Sequence, residues 1–342
     1  MLPRLASAAT LRCGSVLTAS VTLTSNLDCR AQTSGNALTI GAAHVTVNLN
    51  GYTIIGPSNV VGIADIGHSY PTIEDGKMSG IGVDLQGAKD PDGMVTEILG
   101  ATIRHVTFTG SGISLTNARG ARLTRNTVIV FDNIGITDYS NTADIISHNH
   151  ILVSSSTTST ATGIDVDGTT NEVIQENTIE GAGGDYSYGI VDYYSTGQVT
   201  TRNTVDHLYT GILESGEDGI VSYNRGHHDT YGIDEEAATG IAYVGNHFGW
   251  GRYGIWLYDP SDTRLTHNVT NRNSQAGVFV FADQIYCGPC SATLVKNIAN
   301  TNTRGLYSQT KTNGSGNHAA NNTVVNCHHV DCLVVNGTGR DQ

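Results

Sequence analysis

Positive charge is scarce in this chain. Of its 342 residues only 18 are Lys or Arg, against 31 Asp or Glu, and the formal net charge is −13. Nucleic-acid binding needs a basic stripe that displaces counterions, and no such stripe is visible, so that class is set aside. No apolar run reaches membrane-spanning length, which excludes insertion by a helix. Leu2 to Ala9 reads as the tail of a trimmed signal peptide, lacking the charged start and long apolar centre of a whole one. Charged residues make up only 14% of the chain, an unusual balance for a helical protein. What is abundant is Gly, with 41 copies, together with Asn, Thr and Ser, a composition that suits many short strands joined by tight turns. Tyr is also common at 15 copies, and Tyr on a surface groove recognises ligands as often as it packs.

The six cysteines fall in three local pairs: Cys13 with Cys29, Cys287 with Cys290, and Cys327 with Cys332. Short-range even pairing of this kind reads as three disulfides and a secreted, extracellular or periplasmic location. Two rivals stay open: a thioredoxin-like redox site in Cys-Gly-Pro-Cys at 287–290, and a metal site in Cys-His-His-Val-Asp-Cys at 327–332.

A repeat organises the rest. Gly followed by an apolar residue recurs at Gly112, Gly135, Gly163, Gly189, Gly211, Gly232, Gly254, Gly277 and Gly305. An Asn follows each Gly, at Asn126, Asn149, Asn177, Asn203, Asn224, Asn246, Asn268, Asn297 and Asn322, and in the first seven repeats the interval is 14 residues in six and 13 in the other. The glycines are 21 to 28 residues apart, a period that marks a solenoid with one turn per repeat. Each period holds short β-rich runs, which excludes helical repeats. Coils stacked about 4.8 Å apart in parallel are therefore expected. The Asn is expected to take a left-handed bend and to hydrogen-bond its copies above and below. Residues 1–35 are expected to cap the first coil, as solenoid ends require, and 36–342 to form one β-helix without a second domain.

The repeated Gly-Ile…Asn pattern over 100–325, with the entry segment Asn48-Leu-Asn-Gly-Tyr-Thr-Ile, resembles the pectin-lyase-like superfamily. That resemblance implies an all-β, right-handed single-stranded parallel β-helix. It does not imply one function, because the superfamily holds lyases, hydrolases, epimerases, adhesins and proteins without known catalysis.

Aligning the coils on their glycines shows which side chains become neighbours. The apolar residue after each Gly faces inward and the next faces out. Outward positions two and four then carry Asp165 and Asp167, Val191 and Tyr193, Leu213 and Ser215, Asp234 and Glu236, Trp256 and Tyr258. Position three carries Asp138, Asp192, Glu214 and Glu235. Strict alternation would point these into the core, where unpaired charge is costly, so they are expected where strand gives way to turn. A hydrogen-bonded or ion-bound internal ladder is the alternative. Asp192, Glu214 and Glu235 share one register, at separations that bracket those of glycosidase carboxylate pairs, and the same crowding would suit Ca²⁺.

Beside the acids, Tyr193, Tyr194, Trp256 and Tyr258 form a stripe suited to sugar rings. Tyr231-Gly-Ile-Asp-Glu-Glu236 resembles the Tyr-Gly-Phe/Ile-Asp-Pro-His segment of mannuronan C5-epimerases, which implies catalytic-type positions for Tyr231 and Asp234. Glu235 and Glu236 stand where that segment has Pro and His. Arg252 is the one basic residue expected in the groove, and His207 and His228, four residues before a Gly, are candidate bases.

These residues lead to an expected extracellular enzyme acting on a polysaccharide or oligosaccharide. The first choice is a glycosidase using two of Asp192, Glu214, Asp234, Glu235 and Glu236. Asp165, Asp167, Tyr193, Tyr194, Trp256 and Tyr258 would line the binding surface. The alternatives are a lyase or C5-epimerase working through Tyr231, His228 and Arg252, and a non-catalytic adhesin or carbohydrate-binding solenoid. No cofactor is required, Ca²⁺ is the ion the acids would accept, and the oligomeric state is left open.

Overall fold

A computed structural model describes residues 11–156, 159–182, 186–282 and 291–334. These residues form strands and turns and no helix. Fourteen strands, from Ser15–Leu17 to Val325–His328, stack into one sheet whose neighbours run parallel. Two further columns of short parallel strands complete each coil, as in the stacks Leu123–Ile146–Ile174 and Val128–Ile151–Ile179. The architecture is a right-handed parallel β-helix.

The inward residue after each Gly builds the spine of the core. Ile136, Ile164, Ile190, Ile212, Ile233 and Ile255 lie in direct register and are no more than 1% exposed. The Gly before each Ile is needed because the coils touch there. A Cβ on Gly189 would lie 2.3 Å from the carbonyl oxygen of Gly211, and one on Gly211 would lie 2.7 Å from that of Gly232.

Between the second and third strand of each coil, the repeated Asn is buried. Asn203 donates its side-chain N–H groups to the Ile174 carbonyl at 2.9 Å and to Asn224 Oδ1 at 3.1 Å. Its backbone N–H also reaches Asn224 Oδ1, at 2.8 Å. The same pattern runs from Asn126 to Asn297 and then to Asn317.

Two expectations are corrected here. The left-handed residue is not the Asn but the one before it, such as Arg125, His148, Glu176, Arg202 and Tyr223, each with φ near +55°. The Asn stays in ordinary backbone so that its amide can point inward, and the exposed neighbour takes the bend. Asn322 is also not the ninth rung. The last coil is shorter, Asn317 takes that place, and Asn322 joins a second ladder with Asn273, Asn302 and Asn326.

Cys13 and Cys29 form a disulfide, as do Cys327 and Cys332. The second bond removes the metal reading of 327–332, since a disulfide sulfur is no thiolate ligand. Cys287 and Cys290 lie outside the described residues. Short strands within 15–28 pair onto the next coil, and we propose that this disulfide-tied stretch closes the end of the solenoid.

Candidate functional site

The outer face of the 14-stranded sheet carries the expected columns. One reads Asp165, Val191, Leu213, Asp234, Trp256, Phe279, and its neighbour reads Asp167, Tyr193, Ser215, Glu236, Tyr258, Phe281. A third, nearer the preceding turn, aligns Tyr188, Thr210, Tyr231 and Tyr253. Across the strands Ser187–Thr196, Thr210–Glu217, Tyr231–Glu236 and Tyr253–Tyr258 these columns enclose a groove of about 600 Å³.

Leu213 and Asp234 floor the groove, and tyrosines wall it. Tyr188 meets Tyr209 edge-on at 6.0 Å, Tyr209 meets Tyr231 at 5.6 Å, and Tyr231 stacks on Tyr253 at 5.4 Å. On the opposite side stand Tyr193 and Tyr194, 6.3 Å apart. The strand pairing slips just after Tyr193, a bulge that re-aims Tyr194, which has φ +57° and is 77% exposed. Trp256 closes one end, backed by Phe279 at 4.7 Å in nearly parallel planes.

Two carboxylates enter this space. Asp234 is only 9% exposed; burial first, then the charge of Glu236, pushes its carboxyl up to about 7. Glu236 is exposed on the rim. Tyr231 is raised to about 12, first by burial and then by Tyr209 and Asp234. No Lys, Arg or His is among the residues lining the groove. Arg252 is exposed just outside, its guanidinium 5.4 Å from the centre of the Tyr253 ring.

The structure separates the remaining expected residues. Asp192, Glu214 and Glu235 do lie in register on successive coils, but inside the strands rather than at turns. They are 1%, 1% and 0% exposed and point into the solenoid, so substrate in the groove cannot touch them. Burial favours the neutral form of each acid over the charged one. Desolvation is the first cause raising all three, and Glu235 reaches about 8. Glu235 also accepts a hydrogen bond from the Thr263 hydroxyl at 3.1 Å. Asp138 occupies the same inward column two coils earlier.

His228 leaves the groove as well. It stands exposed at a left-handed turn and stacks between His207, at 4.8 Å, and Trp250, at 6.3 Å. Asp165 and Asp167 share the outer columns but do not line the groove. Burial followed by the charges of Asp167 and Asp192 raises Asp165 to about 6. Three coils separate Asp165 from Asp234, roughly 14 Å.

Tyr188 and Tyr209 were not foreseen as groove residues. The signal was in the repeat, since Tyr stands immediately before Gly189, Gly232 and Gly254 and two residues before Gly211. Alignment that begins at the Gly leaves out the wall.

Fold and groove together define a parallel β-helix with an acidic, tyrosine-walled cleft on its flank. A family model described as "Periplasmic copper-binding protein (NosD)" matches residues 183–341. Among the described residues the one group of three or more close ligands is Asp138, Asp144 and Glu172; it lies outside that segment, and its hard oxygens are not the sulfur or imidazole donors that suit copper. No curated protein matches the chain.

Among solved structures, a mannuronic acid specific polysaccharide family 6 lyase from human gut microbiota is 11% identical. The alignment covers 96% of this chain and 87% of that one, with a TM-score of 0.52, a likeness of fold. The periplasmic alginate epimerase AlgG is 15% identical over 90% of this chain and 78% of that one, with a TM-score of 0.48. The A-module of a mannuronan C-5 epimerase from Azotobacter vinelandii is 16% identical over 89% and 90%, with a TM-score of 0.47.

Proposed function

We propose that the chain is a carbohydrate-active enzyme of the periplasm or cell exterior that hydrolyses a glycosidic bond in a neutral glycan. The observation that carries this reading is the ionisable content of the groove: two carboxyl groups and several tyrosines, with no basic side chain in the lining. A polyuronate brought there would meet like charge without a neutraliser. A neutral sugar would meet aromatic rings and hydrogen-bonding edges instead.

Asp234, raised to about 7, would be protonated for much of the neutral range and act as general acid toward the leaving oxygen. Glu236, two residues on along the same strand, would supply the carboxylate that activates water or attacks the anomeric carbon. Two residues of strand span about 6.6 Å at the backbone, the order of separation at which such pairs work. Tyr193, Tyr194, Trp256 and Tyr258 would hold the sugar rings.

Uronate elimination or epimerisation is the second reading. It is favoured by the Tyr231-Gly-Ile-Asp234 segment together with Arg252 beside Tyr253, which stacks on Tyr231. In that case Tyr231 and Asp234 would serve proton transfer and Arg252 would meet the uronate.

The two separate in one screen of neutral and uronate polysaccharides, scored for reducing ends, unsaturated-uronate absorbance and epimer content by NMR. Hydrolysis predicts new reducing ends on a neutral glycan without that absorbance, and a loss of about 10²-fold or more in Asp234→Asn and Glu236→Gln. Unsaturated product, or a changed epimer ratio on a uronan, abolished in Tyr231→Phe, would overturn hydrolysis in favour of the second reading. A protein that binds a glycan but leaves every substrate unchanged would be a non-catalytic binding solenoid.

A further inference from the structure

A second cluster of acids lies inside the solenoid, away from the groove. Asp138 points inward from the sheet strand Ile134–Tyr139. Asp144 follows on the same coil, just before the strand Ile145–Ser147, and Glu172 occupies the equivalent place one coil on, before Val173–Gln175. All three are 0% exposed. One oxygen from each lies within 4.8 Å of the other two.

The protein gives these oxygens few donors. Asp144 Oδ1 accepts the Ala121 N–H at 2.7 Å, and Glu172 Oε2 accepts the Asp144 N–H at 3.3 Å. Both oxygens of Asp138, together with Asp144 Oδ2 and Glu172 Oε1, are buried and find no hydrogen-bond partner outside the three carboxyl groups. No Lys, Arg or His forms an ion pair with any of the three among the described residues. A buried carboxylate normally has a counter-charge or a full set of donors, because desolvating it alone costs several kcal/mol. Asp138 has neither.

We propose that Asp138, Asp144 and Glu172 form a buried cation site that holds one Ca²⁺ and ties two adjacent coils together. The donor set is all oxygen, and three carboxylates offer up to six of the six to eight ligands that Ca²⁺ takes. Two oxygens bound to one Ca²⁺ at about 2.3–2.6 Å lie up to about 5 Å apart, which accommodates oxygens that all lie within 4.8 Å of one another. Val166 stands between Asp138 and Asp192 in the inward column and keeps this cluster apart from Asp192, Glu214 and Glu235. The rival arrangement satisfies the same atoms with protons, one of them shared between Asp138 and Glu172, for burial and mutual repulsion drive these carboxyls upward.

The test uses the full chain, saturated with Ca²⁺ and then dialysed into metal-free buffer. Elemental analysis and native mass spectrometry should find one equivalent of Ca²⁺, released only slowly to chelator because the site is closed to solvent. Glu172→Gln, which keeps the side chain's shape, and Asp138→Asn/Glu172→Gln should fold by circular dichroism and carry no Ca²⁺. Added Ca²⁺ should raise the Tm of the metal-stripped wild type by several degrees and leave both variants unmoved. The proposal is overturned if the wild type retains no stoichiometric Ca²⁺ and its Tm ignores both Ca²⁺ and chelator. It is equally overturned if the double variant is the more stable protein under every condition, the result that shared protons predict.

Discussion

Asp234 combines a position at the floor of the groove with a carboxyl raised to about 7 by burial and by Glu236. A general acid works while protonated, so on its alkaline side kcat/KM should fall as pH rises through about 7. Of the six tyrosines lining the groove, Tyr188, Tyr193 and Tyr231 are raised above the usual phenol range and stay neutral across that interval. Neutralising Glu236 removes the second cause of the shift. Any residual activity of Glu236→Gln should therefore lose its alkaline limb at a lower pH than wild type, and an unmoved limb would remove Asp234 from the acid's role.

Glu235, its neighbour in sequence, belongs to the interior and makes the opposite prediction. Raised to about 8 by burial, it is mostly protonated at pH 7, and Gln matches the protonated form in shape. Glu235→Gln should keep turnover, and it should match wild-type stability most closely below about pH 4.5, where the side chain is neutral in the folded and unfolded chain alike. Because its folded value lies above its unfolded one, Glu235 contributes stability that is complete below about 4.5 and is lost as pH rises through about 8. The variant should therefore show a flatter decline of Tm between those limits, and an identical slope would contradict the assignment.

Alternation along the strand made Asp234 and Glu236 legible as outward residues. Applied strictly it also placed Glu235 correctly, and the expectation of a turn came from treating the acid as charged. Proton uptake removes most of the cost on which that expectation rested.

At the scale of the element, the Asn ladder does for the bends what backbone pairing does for the strands. Each Asn serves its neighbours as well as itself, so deleting one rung leaves buried partners bare. In Asn203→Ala, the Asn177 backbone and side-chain N–H groups lose their acceptor, and the Ile174 carbonyl loses its donor. Unmade buried bonds cost about 1–3 kcal/mol each, so a loss of about 3 kcal/mol or more is expected, read from the urea midpoint. A solvent-facing control on the same turn, Arg202→Gly, should cost little or stabilise slightly, since Arg202 sits at φ +55°, where Gly carries no strain.

The interval of 13 or 14 residues from Gly to Asn located the seven rungs from Asn126 to Asn268. It stretches to 20 at Asn297, and at the ninth rung Asn317 lies only 12 residues after Gly305 whereas Asn322 lies 17 after it. Constant spacing is a property of interior coils, and the end is where it relaxes.

For the whole molecule, the period in the sequence was enough to establish a stack of parallel coils, since few other folds repeat β-rich runs every 21 to 28 residues. The position of the groove along the stack was less legible, because the tyrosines that wall it come from several coils and precede the glycines used for alignment. The same linear construction governs how the molecule should come apart. Each coil contacts mainly its neighbours, so stability is a sum of local terms and disruption at one end need not reach the middle. The Cys13–Cys29 disulfide closes a loop of 16 residues at the first coil, a constraint worth about 3 kcal/mol by loop-closure entropy. In Cys13→Ser/Cys29→Ser that loss should appear in hydrogen exchange as roughly 100-fold faster opening. It should be confined to the strands Ser15–Leu17, Leu27–Asp28 and Asn36–Ile40. Protection in Ser187–Thr196 and Tyr231–Glu236, and catalysis in the groove between them, should be unchanged. Uniform deprotection along the chain would instead mean that the coils unfold as one cooperative unit and that the terminal disulfide holds the groove together from a distance.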